Sequence, residues 1–220
     1  MRFQVLKLHV LKPQRYSGRF VARRGLFGLM LGGVLASVFG TPSIAADAAG
    51  LVEDIKGEAF ADASNQHRVL QKSSQVYVGD SVATGASSRL TMLLGEDTTI
   101  RLGENARLVI DQFLSTTGGE ISLPSGPMLF ERPNGSRPMP VQIKSSYGLI
   151  AVRGTTFFAG PSNDVFGVFV EHGTVVVSNA GSEVTLNAGE GTNLATPDAR
   201  PTAPVAWGKE RIRKALDSVK

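Results

Sequence analysis

The sequence predicts an all-β fold: a twisted β-sandwich or a short irregular β-solenoid of about 15 short strands, closed by one short C-terminal α-helix. Three observations predict it. Between residues 51 and 194 apolar side chains recur at alternate positions in short runs, the pattern of strands with one buried face. Glycine-centred turns interrupt those runs every eight to twelve residues or so, spacing that leaves little room for helix. Helical periodicity is confined to the last residues, where Ile212, Leu216 and Val219 recur at i, i+4 and i+7 and Glu210 faces Lys214.

The expected strands follow in chain order. Runs at 51–55 and 58–61 open the series, and 75–78 and 81–84 flank the Gly79-Asp80 turn. Those at 88–94 and 98–102 flank Gly95-Glu96-Asp97 after the Thr84-Gly85 turn. Gly103-Glu104-Asn105 precedes 106–113, Gly118-Gly119 precedes 120–123, and Asn134-Gly135 separates 127–130 from 141–145. The long run at 148–158 reads as one strand, and 165–171 and 173–178 flank His172-Gly173. Ala180-Gly181 and Gly189-Glu190 introduce 183–186 and 191–194. Glycine supplies positive φ, and Asn or Asp bonds its own backbone, so each punctuator has a turn mechanism.

Charge and hydropathy divide the chain into four parts. Residues 1–45 hold seven basic and no acidic residues, with Arg23-Arg24 followed by an apolar run of about fifteen and then Ser43-Ile44-Ala45. This is the pattern of a signal peptide cleaved near Ala45, and its paired arginines resemble a twin-arginine leader. Pro42 and the interspersed glycines argue against an uncleaved membrane anchor. Residues 46–195 form the β domain, 196–206 a linker with three prolines, and 207–220 a basic amphipathic helix or tail. The body, 46–199, carries 10 basic and 17 acidic residues, against 6 and 2 in 200–220. Tail and body therefore have opposite sign. The tail either folds back on its own domain or offers Trp207, Arg211, Arg213 and Lys214 to a partner or an anionic envelope surface.

The overall +4 charge comes from the leader and tail, so nucleic-acid binding loses its electrostatic support. With no cysteine, the chain has no disulfide framework, thiolate nucleophile or cysteine-ligated metal. His67 and His172 lack a partner at metal-ligand spacing, and Glu96, Asp97 and Glu104 sit at hairpin tips, where acidic residues are usual. No phosphate loop, dinucleotide fingerprint or serine-nucleophile motif is present. The reading has no catalytic residue, cofactor or metal.

Two segments are more specific than pattern alone. The first runs from Gln75 through Gly79-Asp80 and Thr84-Gly85 to Leu102. The second, Tyr147-Gly148-Leu-Ile-Ala-Val152-Arg153-Gly154-Thr155-Thr-Phe157, is followed by Glu171-His-Gly173-Thr-Val-Val-Val. Together they resemble the two signatures of the FecR-domain family, the second being Val-Arg-Gly-Thr-x-Phe. The resemblance implies a non-enzymatic periplasmic module for signal transduction that contacts a protein or an envelope component. In membrane-spanning relatives this domain relays a signal from an outer-membrane transporter to a cytoplasmic sigma factor. Some 24 residues before the apolar segment and 26 after the last expected strand are too few for the flanking domains of that plan. The expectation is a free-standing domain that binds by edge-strand pairing, with a carbohydrate-binding or polysaccharide-active β-solenoid of the envelope as the alternative. A membrane is met only through an uncleaved leader or the basic tail, and oligomeric state is not readable.

The motif residues themselves read as structural. Glycines 79, 85 and 154 allow positive φ or close backbone approach, and Asp80 and Thr84 bond amides within their turns. Arg153 shares a face with Leu149, Ala151 and Phe157 if alternation is regular. It is then tied to Asp80 or to carbonyls of the neighbouring turn, because a buried unpaired guanidinium is costly; the alternative is a ligand-binding cation.

Overall fold

Two sheets built in step along the chain share one apolar core. The structure is a computed structural model and describes residues 47–63, 66–114, 117–133, 135–137 and 139–220; the expected leader lies outside them. The strands are β1 Ala48–Lys56, β2 Ala59–Ala63, β3 Gln66–Val69, β4 Gln75–Tyr77, β5 Ser81–Thr84 and β6 Arg89–Leu94. Next come β7 Thr98–Leu102, β8 Arg107–Leu114, β9 Gly118–Ser125, β10 Met128–Glu131, β11 Pro140–Ser145 and β12 Gly148–Arg153. The series ends with β13 Thr156–Ser162, β14 Val165–His172, β15 Thr174–Asn179, β16 Ser182–Asn187, β17 Glu190–Leu194, β18 Val205–Ala206 and α1 Lys209–Asp217.

One sheet has the order β18-β17-β14-β13-β10-β7-β6-β1-β4 and the other β16-β15-β12-β11-β9-β8-β5-β2-β3. The chain lays one strand or hairpin in one sheet, crosses, and lays the next in the other. Neighbours are antiparallel except β9 and β11, which pair in parallel. This hairpin-by-hairpin pairing is that of a sandwich, whereas solenoid rungs stack through repeated coils. Alternation holds through β6 and β7, where Leu90, Met92, Leu94, Ile100 and Leu102 enter the core.

Three departures from the expected strands have local causes. The run 148–158 is two strands in different sheets, because Gly154 takes a φ of 66° and turns the chain across the sandwich. β3 shows no alternation and leaves even its one apolar residue, Val69, exposed, since it is an edge strand paired only to β2. β18 lies within the expected linker 196–206, which is held along β17: Thr192 Oγ1 donates to the Thr202 carbonyl at 2.7 Å and Thr202 N–H to the Asn193 carbonyl at 3.1 Å.

β10, β13 and β14 are buried on both faces, so they read as continuous apolar runs rather than alternation. Phe130, Phe157 and Val168 face the sandwich core, while Leu129, Phe158 and Phe169 face outward to Trp207, Ala215 and Val219. The tail therefore folds back on its own domain. Trp207, expected at a partner surface, is only 6% exposed. Its ring stacks on Phe169 at 5.2 Å and lies across Gly167 and Gly191. A Cβ at Gly191 would stand 2.2 Å from Trp207 Nε1 and 2.6 Å from the Val168 carbonyl oxygen. Arg211 closes the slot: its guanidinium carbon is 3.5 Å from the indole centroid, with Nε donating to Ser162 Oγ and Nη2 to Asn193 Oδ1.

Gly191→Ala is therefore expected to cost about 1–3 kcal/mol through overpacking against fixed backbone. Trp207→Ala is expected to cost about 3–5 kcal/mol. Urea unfolding followed by circular dichroism measures both; for Gly191→Ala the fluorescence of Trp207, the sole tryptophan, should also lose its native environment first.

Candidate functional site

The crossings between sheets are where the motif residues lie. Each crossing brings backbone polar groups to the end of the core, where they need partners or neighbours without a Cβ. At the β4–β5 crossing Gly79 has a φ of 90° and donates its N–H to the Ile110 carbonyl at 2.7 Å. Asp80 is fully buried; its Oδ2 accepts the Tyr77 N–H at 2.8 Å and a bond from Arg68 Nη2. Arg68 also donates to the Gln75 carbonyl and lies over the Tyr77 ring at 5.1 Å. The partner of Asp80 is thus Arg68 on the unforeseen strand β3, not Arg153.

Arg153 is exposed, and among the described residues no hydrogen bond or ion pair holds it. It does share a face with Leu149 and Ala151, but that face is the outer one, and the crossing at Gly154 sends Phe157 into the core from the opposite sheet. The desolvation problem that required an anionic partner does not arise.

Thr84 ties two crossings together rather than closing its own turn. Its hydroxyl donates to the Gly103 carbonyl at 2.6 Å and accepts the Ala106 N–H at 3.0 Å. Gly85 differs from the other motif glycines: its φ is not positive, and a Cβ would meet only ordinary contacts from 3.5 Å outward. Neither reason for glycine expected from the sequence applies there. Gly173 is the opposite case, with a φ of 86° and a Cβ position only 2.7 Å from Thr155 Cγ2. The β12–β13 and β14–β15 crossings touch at that point, so Gly154, Thr155 and Gly173 form one contact. Val152 and Phe157 are buried beside it.

A second staple was not foreseen. Arg132, following β10, is 2% exposed, and its Nη2 donates to both Asp97 carboxylate oxygens at 2.8 Å. Burial raises the Asp97 pKa, but bonds from Arg132, Ser136 and Thr98 and the charge of Arg132 together hold it below its ordinary 3.8. Nothing in the sequence pairs these residues, which are 35 positions apart. Asp97 and Glu104 lie beyond opposite ends of β7, and Glu104 accepts the Ser87 N–H at 3.0 Å, so these hairpin-tip carboxylates do not face one another over a cleft. His67 pairs with Asp62 at 2.6 Å and stacks on Phe60, and His172 is exposed. Among the described residues no cluster of metal-ligating side chains forms.

In the tail, Arg213 is bonded to both Glu210 and Asp217, and Lys214 lies 3.8 Å from Glu210. The bond and charge of Arg213 hold Glu210 below its usual range, and burial lowers the Arg211 guanidinium. The four tail residues expected at a partner surface thus divide: Trp207 and Arg211 are built into the domain, while Arg213 and Lys214 remain exposed but paired within the helix.

Two surface features remain open. β16 is the outermost strand of its sheet, with β15 on one side only. Ala180 and Gly181 have φ of 50° and 69°, a two-residue type I′ turn. Asn179 and Ser182 are then the hydrogen-bonded closing pair, and alternation of the ladder turns the backbone groups of Glu183, Thr185 and Asn187 away from β15. The Asn187 N–H is taken by Glu190 Oε2 at 2.8 Å. Among the described residues those of Glu183 and Thr185 meet no partner. At the end of the sandwich where β16 begins, a cleft of about 350 Å³ is lined by Pro124, Tyr147, Pro161, Asp164, Phe166 and their neighbours. Tyr147 and Phe166 form its aromatic wall, stacked at 4.6 Å and 9°.

The comparisons agree with this architecture. The model of the FecR protein family matches residues 80–176. Two crystal structures of a protein assigned as an anti-sigma factor from Parabacteroides distasonis, at 1.65 and 2.50 Å resolution, share the fold. Their TM-scores are 0.52 and 0.51 at 12% and 13% identity. Each alignment covers 62% of this chain, and the chain spans 64% and 63% of theirs. No curated protein matches the sequence.

Thr84→Val, which leaves the Ala106 N–H and Gly103 carbonyl unpaired, should cost about 1–3 kcal/mol, while Gly85→Ala should stay within about 0.5 kcal/mol, both read from urea midpoints. Because the folded-state pKa of Asp97 lies below 3.8, its contribution is complete above that pH and lost as pH falls through the folded value. Asp97→Asn should therefore be less stable than the parent at pH 6, with the gap closing between pH 3.8 and the acid limb.

Proposed function

From the FecR domain that the chain carries at residues 80–176, we propose an exported, non-enzymatic module of the bacterial envelope that works in signal transduction by binding a protein partner along the edge of β16. The leader pattern ahead of Ala45 supports export to the periplasm. The motif residues support a binding rather than a catalytic role: Asp80 and Thr84 are spent on bonds at the crossings and Gly173 on their close contact, so they are not held ready for a substrate.

One observation carries the reading. An edge strand that presents free N–H and C=O groups is a template for another strand, and proteins ordinarily blunt such edges with proline, bulges or inward charge. β16 contains no proline, pairs with β15 without a bulge, and has its only charge, Glu183, on the outer face. The opposite edge of the same sheet, β3, is shorter and has His67 and Arg68 engaged with Asp62 and Asp80. Main-chain hydrogen bonds to β16 would supply affinity, and alternate side chains would supply specificity.

A photo-crosslinking residue placed at Glu183, in envelope extract, should capture a discrete protein. The same probe placed at Arg107, on the outer face of β8, should not. Thr185→Pro removes an outward N–H without touching the β15 ladder, so it should abolish the adduct while leaving the circular dichroism spectrum unchanged. A specific glycan-array signal with no protein adduct would instead favour the carbohydrate-binding reading.

A further inference from the structure

The free part of β16 is open at one end only. Glu190 occupies the Asn187 N–H, so a docked strand is confined to the Ser182 end and must leave the sheet there. What it meets next follows from the register. Ser182 is paired with Asn179 of β15, and a Cβ at Gly148, the first residue of β12, would lie 2.9 Å from Asn179 Cβ. Tyr147, immediately before, is the wall of the cleft. A depression over Ser178, Asn179, Gly181, Ser182 and Glu183 lies between the two. From β16 across β15 to β12 is two strand spacings, roughly 10 Å, which about three extended residues span.

The geometry points to a two-part peptide site, in which a strand laid on β16 continues over the β15–β16 turn and seats a proline beside a basic residue in the cleft. The inference rests on the partner reading above and adds the partner's chemistry. Beyond β16 no free edge is available, so the continuing chain must lose no hydrogen bonds by leaving the sheet; polyproline II geometry meets that condition. The cleft offers flat apolar surfaces of matching kind, from the Tyr147–Phe166 stack and the rings of Pro124 and Pro161. Its volume of about 350 Å³ admits a small side chain and its neighbour rather than a large cofactor. Asp164 is exposed on its rim, with no ion pair among the described residues, and Glu183 is exposed at the start of β16. Asn179 on this path donates to the Pro197 and Ala199 carbonyls, which brings exposed Asp198 and Arg200 beside it. With Glu183 and Asp164 the charges are three negative to one positive, which selects a cation on the peptide.

Three labelled peptides test this on the full chain by fluorescence anisotropy. One is an acetylated Thr-Val-Thr-Val-Thr block followed by Gly-Pro-Arg-Pro, the second replaces Pro-Arg-Pro by Pro-Glu-Pro, and the third is the block alone. The arginine peptide should bind about fivefold more tightly than the glutamate peptide, the scale of an exposed ion pair. Asp164→Asn should bring that ratio close to one, and Asp164→Lys should invert it. Thr185→Pro should remove binding of all three. Equal binding of the two proline peptides, or a ratio unchanged by Asp164→Asn, overturns the cleft inference while sensitivity to Thr185→Pro leaves the β16 reading standing. Absence of binding by every peptide overturns both.

Discussion

The whole architecture depends on repeated passage of one chain between two sheets that share a single core. A core-facing strand pair satisfies its own backbone, but each crossing carries unpaired N–H and C=O groups over the end of an apolar layer. Successive crossings lie against one another and solve this mutually. The Gly85 N–H donates to the Glu58 carbonyl, Gly103 to Pro127, and Thr84 bridges Gly103 and Ala106. The side chains that remain possible there are those that bond backbone at short range, and the positions where crossings touch exclude any Cβ. That is why Asp80, Thr84 and Gly173 stand out from the alternating background.

Ion pairs play a related but narrower part. Arg68–Asp80 and Arg132–Asp97 each join a strand end to a turn that is remote in sequence, and each buries one partner almost completely. Removal of one member would leave the other charged in a place with little water, a larger penalty than the pair's net worth. They act as registers for the ends of the sandwich more than as sources of stability.

The outer face of one sheet adds a second constraint. Leu129, Phe158 and Phe169 need cover, and the tail supplies it through Trp207, Ala215 and Val219. The basic tail thereby becomes part of the domain, with Arg213 and Lys214 paired to Glu210 and Asp217 along the helix. Trp207 and Arg211 are thus withdrawn from the surface, whereas β16 keeps a free edge with Glu183 exposed at its start, and Asp164 is exposed on the rim of the neighbouring cleft.

Two-residue periodicity, glycine spacing and the polar Gly-Asp and Thr-Gly turns are local properties, so the all-β class and most strand positions were legible from residue order. The C-terminal helix was legible for the same reason, through its i, i+4 and i+7 apolar positions. The partner of Asp80, the exposure of Arg153, the slot for Trp207 and the free edge of β16 were not. Each depends on which sheet a strand joins after a crossing, and one glycine at 154 reverses that assignment for everything it precedes. Strand neighbours far apart along the chain are chosen by core burial and by the stacking of crossings, and that choice exists only in three dimensions.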